Sequence, residues 1–415
     1  MIRAHYEIET PYDPAEVAQT MAGEQSSGTF VKIQGETEAL RARFGARVTR
    51  VEVIEERAAP SLPSAYLERK GVQGPWRRAA VEIEYPEENV GVNLPTLAAT
   101  VAGNLFDLGE LTGLRLTALT LRPDYRDRYL HPALGVACTR EALGVVGRPL
   151  FGTILKPNIG LSPEEIAELV ETLCEVGVDF IKDDEIAGNH PHAPVEARVS
   201  AVMKRVRRYR ERSGRDVMVA FNITDELDAM RRHADHVQKE GGSCVMASLN
   251  WCGLSAMQSL RASTPLAIHG HRNGFGAFAR HPALGINIAA YQTLYRLAGI
   301  DHLHVHGMAG KFADSTDEVA HAARLSLTAL GGTDDRVMPV FSSGQWAGTL
   351  QLTFEKTRSA DFMFLAGGGI LAHPSGPAAG VASLKQAWQS IEAGEPLARA
   401  GRPALGEALD FFGGR

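Results

Sequence analysis

A lysine and three carboxylates follow one short apolar run near the middle of the chain. Residues 178–181 are followed directly by Lys182, Asp183, Asp184 and Glu185. Carboxylate oxygens are the ligands that a hard cation such as Mg²⁺ prefers. An amine is a poor ligand for Mg²⁺, but the carbamate that an amine forms with CO₂ is an anionic oxygen ligand. The cluster predicts a metal site, and a solvated charged loop is the alternative interpretation.

Two glycine-containing segments indicate anion binding. Ser343 and Gly344 follow one apolar run, and Gly367, Gly368 and Gly369 follow the next. The backbone N–H groups of such segments can approach a phosphate closely, although tight turns use the same residues. These segments are therefore candidate phosphate sites.

Basic side chains follow other apolar runs. Arg272, in the sequence HGHR, carries a fork of donors that suits a second phosphate or a carboxylate, with a surface arginine as the alternative. Alternation along a strand would place three histidines on the same side of that strand. They could form a zinc or iron site, or act as separate groups beside a Mg²⁺ site. These histidines are His302, His304 and His306.

Two lysines complete the set of candidate reactive groups. Lys156 beside other cations predicts an amine with a lowered pKa that acts in acid–base catalysis, or else a structural ion pair. Lys311 ends the glycine-hinged loop 307–311. Such a loop can close over a substrate, and a solvated loop lysine is the alternative.

The elements that must position these groups alternate between β and α patterns from about residue 150. Eight apolar runs are strand candidates: 150–155, 178–181, 217–223, 244–249, 266–269, 302–306, 337–341 and 362–366. Segments 162–176, 315–330 and 379–393 show helical spacing. Eight units favour a (β/α)₈ barrel over a doubly wound sheet, and no GxGxxG follows the first strand. In a barrel, the candidate groups would share the carboxyl end of the strands.

The first 130 residues predict a different kind of domain. Segments 47–55, 79–85 and 114–121 alternate apolar and polar residues as antiparallel strands do, and 94–105 is a candidate helix. We therefore expect an α/β protein with an N-terminal α+β (ferredoxin-like) domain over 1–130, followed by a (β/α)₈ TIM barrel over 131–415.

Composition narrows the classes of partner. The 415-residue chain has a formal net charge of −6 and a pI near 6.2, which argues against nucleic acid or an anionic membrane as the main partner. It contains no apolar run of the ~20 residues that a membrane span requires, and its first residues lack a signal-peptide pattern. The cysteines show no CxxC spacing and suggest reduced core residues in a cytoplasmic protein: Cys138, Cys174, Cys244 and Cys252.

Ordered motifs resemble a known family. GTILKPNIGLS, GVDFIKDDE, HGHR, DHLHVHGMAGK and AGGGILAHPSG resemble the large subunit of ribulose-bisphosphate carboxylase/oxygenase (RuBisCO). GEQSSGTF at 23–30 and GNLF at 103–106 resemble motifs of its N-terminal domain. The resemblance spans almost the whole chain, and it implies the same two-domain fold and a homodimer with shared active sites.

The resemblance also implies residue roles. Lys182 would carry CO₂ as a carbamate and bind Mg²⁺ together with Asp184 and Glu185. Lys156 would transfer protons, and His271 would lie near the reacting carbons. The implied substrate- and phosphate-binding residues are Glu24, Thr29, Asn104, Asn158, Arg272, His304, Ser342, Ser343, Gly344, Gly367 and Gly368.

Several positions depart from the carboxylase pattern. Asn158 stands where the carboxylases have a second lysine, and His306 stands where they have a small residue. Phe30, Ser343 and Phe275 replace a tryptophan, a glycine and a histidine. These departures resemble the RuBisCO-like, or type IV, branch of the family, and the asparagine at 158 argues against genuine ribulose-bisphosphate carboxylation.

The expected activity is Mg²⁺-dependent enolisation or cleavage next to a carbonyl in a small phosphorylated keto-sugar or keto-sugar acid. Lys311 would be the catalytic loop lysine, which contacts a carboxylate in the carboxylases. That role favours an enzyme like 3-oxo-isoapionate-4-phosphate transcarboxylase/hydrolase. The alternatives are a methionine-salvage enolase or isomerase of a 5-methylthio-ketose phosphate, a non-catalytic phosphate-binding or structural homologue, a zinc or iron hydrolase, and a genuine carboxylase.

Overall fold

The computed structural model describes residues 1–28, 34–397 and 401–414. Its strands are β1 (Ile2–Thr10), β2 (Arg47–Arg57), β3 (Trp76–Tyr85), β4 (Gly113–Thr120), β5 (Leu150–Ile154), β6 (Phe180–Lys182), β7 (Met218–Asn222), β8 (Cys244–Ser248), β9 (Ala267–His271), β10 (Leu284–Ile286), β11 (His302–His304), β12 (Met338–Phe341) and β13 (Met363–Leu365). Its helices are α1 (Pro14–Glu24), α2 (Glu38–Phe44), α3 (Ala65–Arg69), α4 (Glu87–Val90), α5 (Leu94–Ala102), α6 (Pro123–Arg126), α7 (Gly135–Leu143), α8 (Pro163–Val176), α9 (Val195–Ser213), α10 (Leu227–Lys239), α11 (Leu249–Cys252), α12 (Leu254–Ser263), α13 (Gly276–Ala279), α14 (Ile288–Leu297), α15 (Thr316–Ser326), α16 (Ala347–Thr357), α17 (Gly367–Leu371), α18 (Gly376–Glu392) and α19 (Pro403–Phe412).

One compact unit contains Met1–Tyr129, Gly274–Ala298 and Leu330–Asp334. Its sheet has the order β10-β4-β1-β3-β2, in which β1 to β4 are antiparallel and β10 is parallel to β4. Every second residue of β1 from Ile2 to Ile8 is buried, so this strand turns an apolar side toward the core. The order 4-1-3-2 of the first four strands is that of a ferredoxin-like sheet.

The other compact unit contains Leu130–Asn273, Gly299–Ala329 and Asp335–Arg415. Its eight strands are all parallel and close in the order β5-β6-β7-β8-β9-β11-β12-β13. Helices lie between successive strands, so this unit is a (β/α)₈ barrel. The expected fold class is confirmed.

Apolar side chains fill the barrel and α7 closes its amino-terminal end. Asp301, directly before β11, accepts hydrogen bonds from the backbone N–H groups of Leu134 (2.6 Å) and Gly135 (3.0 Å) at the start of α7. Side chains of α7 join the strand side chains in one core, which includes Val136, Leu143, Leu150, Phe180, Met218, Met246, Met338, Val340, Met363 and Leu365. The candidate metal-site groups described below lie at the opposite, carboxyl end of the strands.

Local sequence signals set the helix that leads into the metal-site strand. Ser162 and Glu165 cap α8 reciprocally, with Pro163 at the first helical position. Gly177 ends the helix with a left-handed φ of 85°, and β6 begins three residues later. This geometry places Lys182 at the carboxyl end of β6.

The predicted elements agree with the structure except in a few places. All eight barrel strands form, whereas β1 and β10 were not among the expected strands. The strand expected over 302–306 ends at His304. The division of the polypeptide at residue 130 stays a prediction, and the structure adds that Gly274–Ala298 belongs to the unit with the N-terminal sheet.

The cysteines and the helices bear on two further expectations. All four cysteines are free, and Cys174 and Cys244 are buried as expected, but Cys138 is exposed because its side of α7 faces away from the core. Across 1–28, 34–397 and 401–414, the helices are all too short or too polar to span a bilayer.

Candidate active site

Lys182, the last residue of β6, is a buried amine. The residue is 1% exposed, and its Nζ donates to the backbone oxygen of Asp183 at 2.6 Å. Burial lowers the pKa of Lys182 to about 8, although the charges of Glu185 and Asp184 act in the opposite direction. A substantial neutral fraction near physiological pH is what reaction with CO₂ requires.

Asp183 points into a buried network of its own. Its Oδ2 accepts from Arg198 Nε at 3.1 Å and from the backbone N–H of Asn222 at 2.9 Å. Arg198 is 1% exposed and also donates to the backbone oxygens of Ala187 and Ala193. Asp183 therefore anchors the turn after β6, which leaves Asp184 and Glu185 as the candidate metal ligands.

Asp184 is paired with Lys156 beyond the carboxyl ends of the neighbouring strands β5 and β6. Lys156 Nζ donates to Asp184 Oδ2 and to Asn158 Oδ1, both at 2.6 Å. Burial opposes ionisation of Asp184, but the hydrogen bond from Lys156 and the charges of Lys156 and Lys182 outweigh it and hold its pKa below the usual value. The structure thus brings the predicted base and the predicted ligand into direct contact.

His271, the last residue of β9, lies near Glu185. Its Nε2 is 3.9 Å from Glu185 Oε2, and its Nδ1 accepts from the backbone N–H of Asn273 at 3.2 Å. Burial, with a contribution from the Lys182 charge, lowers the pKa of His271 well below its ordinary value. A neutral His271 therefore carries its proton on Nε2, directed toward Glu185.

The donor set fits Mg²⁺ if Lys182 becomes an oxygen ligand. Within the described ranges, no group of three or more His, Cys, Asp or Glu side chains is arranged to hold a metal ion. Asp184 and Glu185 supply two hard oxygen ligands, and a carbamate on Lys182 would supply the third. A buried amine with a pKa of about 8 suits that modification.

The expectation that three histidines point to one side of a strand is wrong for His306. This residue lies beyond the end of β11 and has a φ of 70°. Its Nδ1 donates to Asp314, whose Oδ2 is also 3.5 Å from Arg272 Nη2. The left-handed backbone turns His306 away from His304, so the zinc or iron site proposed for the triplet does not form.

His302 and His304 instead join a buried chain of side chains. His302 Nδ1 is 3.3 Å from His269 Nδ1, and His269 Nε2 is 2.7 Å from His304 Nε2. His304 Nδ1 is 3.1 Å from Ser342 Oγ, and His302 Nε2 is 3.0 Å from Thr139 Oγ1. Both ring nitrogens of His304 are therefore engaged inside the barrel.

The two glycine segments form turns at neighbouring strand ends. Ser343 (φ 72°) and Gly344 (φ 77°) are left-handed, and Gly367 and Gly368 begin α17. A Cβ at Gly368 would meet no heavy atom within 4 Å, whereas one at Gly369 would lie 2.8 Å from the backbone of Gln345. Packing thus explains Gly369 but leaves the backbone of Gly368 open to a ligand.

The loop that carries Lys311 rests on the turn after β12. Gln345 Nε2 donates to Met308 O and to Ser343 O, both at 3.2 Å. Lys311 Nζ is 5.4 Å from the centre of the Phe312 ring. Gln345 therefore couples the loop to the glycine turn.

Three residues implied for the site lie elsewhere or outside the described residues. Glu24 ends α1, and Asn104 begins a 3₁₀ helix over Asn104–Asp107, both in the unit with the N-terminal sheet. Thr29, like the departure at Phe30, falls outside the described residues.

Sequence reasoning missed Arg198, Asp314, Gln345 and Thr139. Only Arg198 gives a usable signal, because it lies at helical spacing from the apolar residues Val195 and Val202. A charge on the apolar side of a helix indicates a buried partner. The other three residues acquire their contacts only through the barrel fold.

Comparison with known proteins places the whole chain in one family. Residues 135–412 match the ribulose bisphosphate carboxylase large chain catalytic domain, and residues 2–125 match the large chain N-terminal domain. A 3-oxo-isoapionate-4-phosphate transcarboxylase/hydrolase from Xanthobacter autotrophicus is 47% identical over 414 residues, covering 99% of each chain. A 3-oxo-isoapionate-4-phosphate decarboxylase from Rhizobium rhizogenes is 39% identical, covering 98% of this chain and 97% of the relative.

A solved structure of a rubisco-like protein is also similar to this chain along its full length. The rubisco-like protein from Burkholderia fungorum is 60% identical, with a TM-score of 0.94 and 99% of each chain covered. With both domains matched and relatives of this identity along the full length, the chain belongs to the ribulose bisphosphate carboxylase large-chain family, as a RuBisCO-like enzyme.

Proposed function

We propose that this enzyme is Mg²⁺-dependent and acts on 3-oxo-isoapionate 4-phosphate or a closely similar phosphorylated keto-sugar acid, by transcarboxylation and hydrolysis. The observation that carries the metal chemistry is the buried Lys182 beside Asp184 and Glu185. We assign the substrate from the relative from Xanthobacter autotrophicus, which is 47% identical along the full length and is named for that activity.

The proposed chemistry begins at the substrate carbonyl. Mg²⁺, when bound by Lys182 carbamate, Asp184 and Glu185, would stabilise negative charge on the substrate oxygens. Lys156 Nζ, held by Asp184 and Asn158 at 2.6 Å, is positioned to donate or take a proton. Neutral His271 offers an Nε2–H donor on the same side of the barrel.

Asn158 and Lys311 support a reaction other than ribulose-bisphosphate carboxylation. Asn158 accepts a hydrogen bond from Lys156, whereas a second lysine at this position would repel it. Lys311 is available on the loop beside the glycine turn to contact a substrate carboxylate. A methionine-salvage enolase has no evident need for that contact, and a non-catalytic homologue has no need for the Lys156–Asp184 pair.

We also propose the remaining parts of the site from the family resemblance. The protein would act as a homodimer in the cytoplasm, with Glu24, Thr29 and Asn104 of the partner subunit completing each site. Arg272 would bind one anionic group of the substrate, and the turns at Gly344 and Gly367–Gly368 would bind another.

The fate of the substrate carboxyl carbon tests the proposed reaction. We would incubate the enzyme, Mg²⁺ and bicarbonate with 3-oxo-isoapionate 4-phosphate labelled with ¹³C in its carboxyl group. Transcarboxylation retains the label in an organic acid, which is the expected result. Release of the label as CO₂ would instead favour the decarboxylase, the second candidate because of the 39% identical relative. A Lys311→Met variant that kept full turnover would contradict the role of the loop lysine.

Carbamate formation should depend on pH in a defined direction. Because only the neutral amine reacts with CO₂, we expect the rate at fixed dissolved CO₂ to rise with pH and to level off above the Lys182 pKa of about 8. The ¹³C signal of the carbamate measures this rate. The measurement should cover about one pH unit on each side of this pKa. A rate of carbamate formation that stays constant or falls over this range would contradict the assignment of Lys182.

Asp314 should compete with the substrate phosphate for Arg272. Its carboxylate already lies 3.5 Å from Arg272 Nη2 and accepts from His306. We expect Asp314→Asn to bind inorganic phosphate about tenfold more tightly, because the variant removes the repulsion between the Asp314 carboxylate and the phosphate. Tenfold corresponds to about 1.4 kcal/mol of binding free energy. Isothermal titration calorimetry measures the affinity, and Asp317→Asn, at an exposed acid on α15, is the control. Weaker or unchanged phosphate binding by Asp314→Asn would contradict this prediction.

A further inference from the structure

A continuous chain of hydrogen bonds runs through the barrel from α7 to the end of β12. It consists of Thr139, His302, His269, His304 and Ser342, joined at 3.0, 3.3, 2.7 and 3.1 Å. The first four side chains are 0–2% exposed, and Ser342 is 6% exposed. Only the Ser342 end lies at the strand ends that carry the active site.

The first link fixes the direction of the chain. Thr139 Oγ1 is 2.5 Å from the backbone oxygen of Gly135, which can only accept, so the threonine hydroxyl donates there. Thr139 Oγ1 must then accept from His302 Nε2–H. The proton of a neutral His302 is thereby assigned to Nε2, and its Nδ1 is an acceptor.

Each later link follows from the previous one. His302 Nδ1 accepts, so His269 donates from Nδ1 and keeps a lone pair on Nε2. His304 donates from Nε2 to that lone pair, and its Nδ1 becomes an acceptor. Ser342 therefore donates its hydroxyl proton to His304, and the serine oxygen keeps only acceptor capacity.

All three rings are neutral in this chain. Their partners are a hydroxyl, one another and a second hydroxyl, so no carboxylate in the chain stabilises a positive ring. Burial lowers the pKa of His302 to about 3 and places the pKa values of His269 and His304 well below the ordinary value. A neutral ring has one donor and one acceptor, as the chain requires.

We propose that Thr139 is a positioning residue that sets the hydrogen-bond polarity of Ser342, so that Ser342 accepts a hydrogen bond from a substrate hydroxyl. Ser342 then selects a hydroxyl rather than a phosphate or carboxylate oxygen, and His304 serves as the last link rather than as a phosphate donor. The identity of the hydroxyl-bearing substrate rests on the proposed function, whereas the proton positions do not.

Neutron diffraction from a perdeuterated crystal of the full-length protein tests the proton positions directly. We expect deuterium on His302 Nε2, His269 Nδ1 and His304 Nε2, and the Ser342 deuteron directed at His304. Deuterium on His304 Nδ1, with the Ser342 deuteron turned away, would overturn the inference. This measurement needs no substrate, so its result is separate from the success or failure of the proposed activity.

Two variants of Thr139 test the consequence for the site. Thr139→Val removes the group that fixes the direction, and we expect kcat/KM for 3-oxo-isoapionate 4-phosphate to fall about five- to tenfold. Thr139→Ser keeps the hydroxyl and should stay within about twofold of the wild type, a margin of less than half a kcal/mol. Thr172→Val is a matched control, because Thr172 also bonds the carbonyl four residues earlier but contacts no histidine in that bond. Equal losses in the Val and Ser variants would show a packing role only and would overturn the inference.

Discussion

Replacing Lys182 with methionine should remove the activity while leaving the fold intact. Lys182→Met keeps an unbranched side chain of similar length but cannot form a carbamate, so the third oxygen ligand is lost. We expect kcat/KM to fall by about 10³-fold or more, because a single missing electrostatic donor already costs about 10²–10³ in other enzymes. The folded state should be at least as stable as the wild type, since the buried side chain no longer carries a charge that burial disfavours.

Steady-state kinetics and thermal unfolding separate these two effects. Lys204→Met, at an exposed lysine on α9, controls for the loss of a positive charge. Activity of Lys182→Met close to that of the wild type would contradict the metal assignment. A folded but inactive variant is the predicted result.

Replacing Arg198 with methionine should have the largest effect on stability. Arg198 is buried and donates to Asp183 and to several backbone oxygens of the turn after β6. Removing one partner leaves the Asp183 carboxylate buried without its charge partner, which typically costs about 3–5 kcal/mol. The free energy of unfolding measured in urea should fall by that amount.

The same change should weaken the metal site, because Asp183 and its turn carry Asp184 and Glu185. Arg208→Met, at an exposed arginine of the same helix, should change the free energy of unfolding by less than about 0.5 kcal/mol. An Arg198→Met variant as stable as Arg208→Met would show that the buried pair does not hold the turn.

Most of the fold follows from patterns that are local in sequence. The barrel strands are short continuous apolar runs because both sides of a parallel strand are buried. Two of the helices that follow them, α8 and α15, begin with a Ser/Glu capping box that can be recognised in the sequence. The alternation of β2, β3 and β4 is equally clear, whereas β1, which also alternates, was not among the predicted strands. The three-residue strand Leu284–Ile286 shows no such pattern, because it is too short for a period and pairs with Leu114–Leu116, about 170 positions earlier.

Local sequence patterns predict only part of the candidate site. The strand-end rule brings Lys156 to Asp184 and His271 toward Glu185, contacts that the spacing alone does not state. The alternation rule fails at His306 because β11 ends at His304 and the backbone then turns left-handed.

Contacts between segments far apart in the chain cannot be predicted from the sequence. Nothing near Thr139 indicates that it faces His302, 163 positions away. Asp314 likewise gives no sign that it meets Arg272, since the two residues belong to different β/α units. Such pairs are fixed by the closure of the barrel and not by any local pattern.

Turnover of 3-oxo-isoapionate 4-phosphate, followed by ³¹P and ¹³C NMR, shows whether the proposed reaction depends on Mg²⁺ and bicarbonate. The wild-type enzyme would be compared after incubation with Mg²⁺ and bicarbonate and after removal of divalent metal with a chelator. We predict turnover only in the first sample, with recovery when Mg²⁺ and bicarbonate are restored. Absence of turnover with Mg²⁺ and bicarbonate, or equal turnover after chelation, would contradict the account.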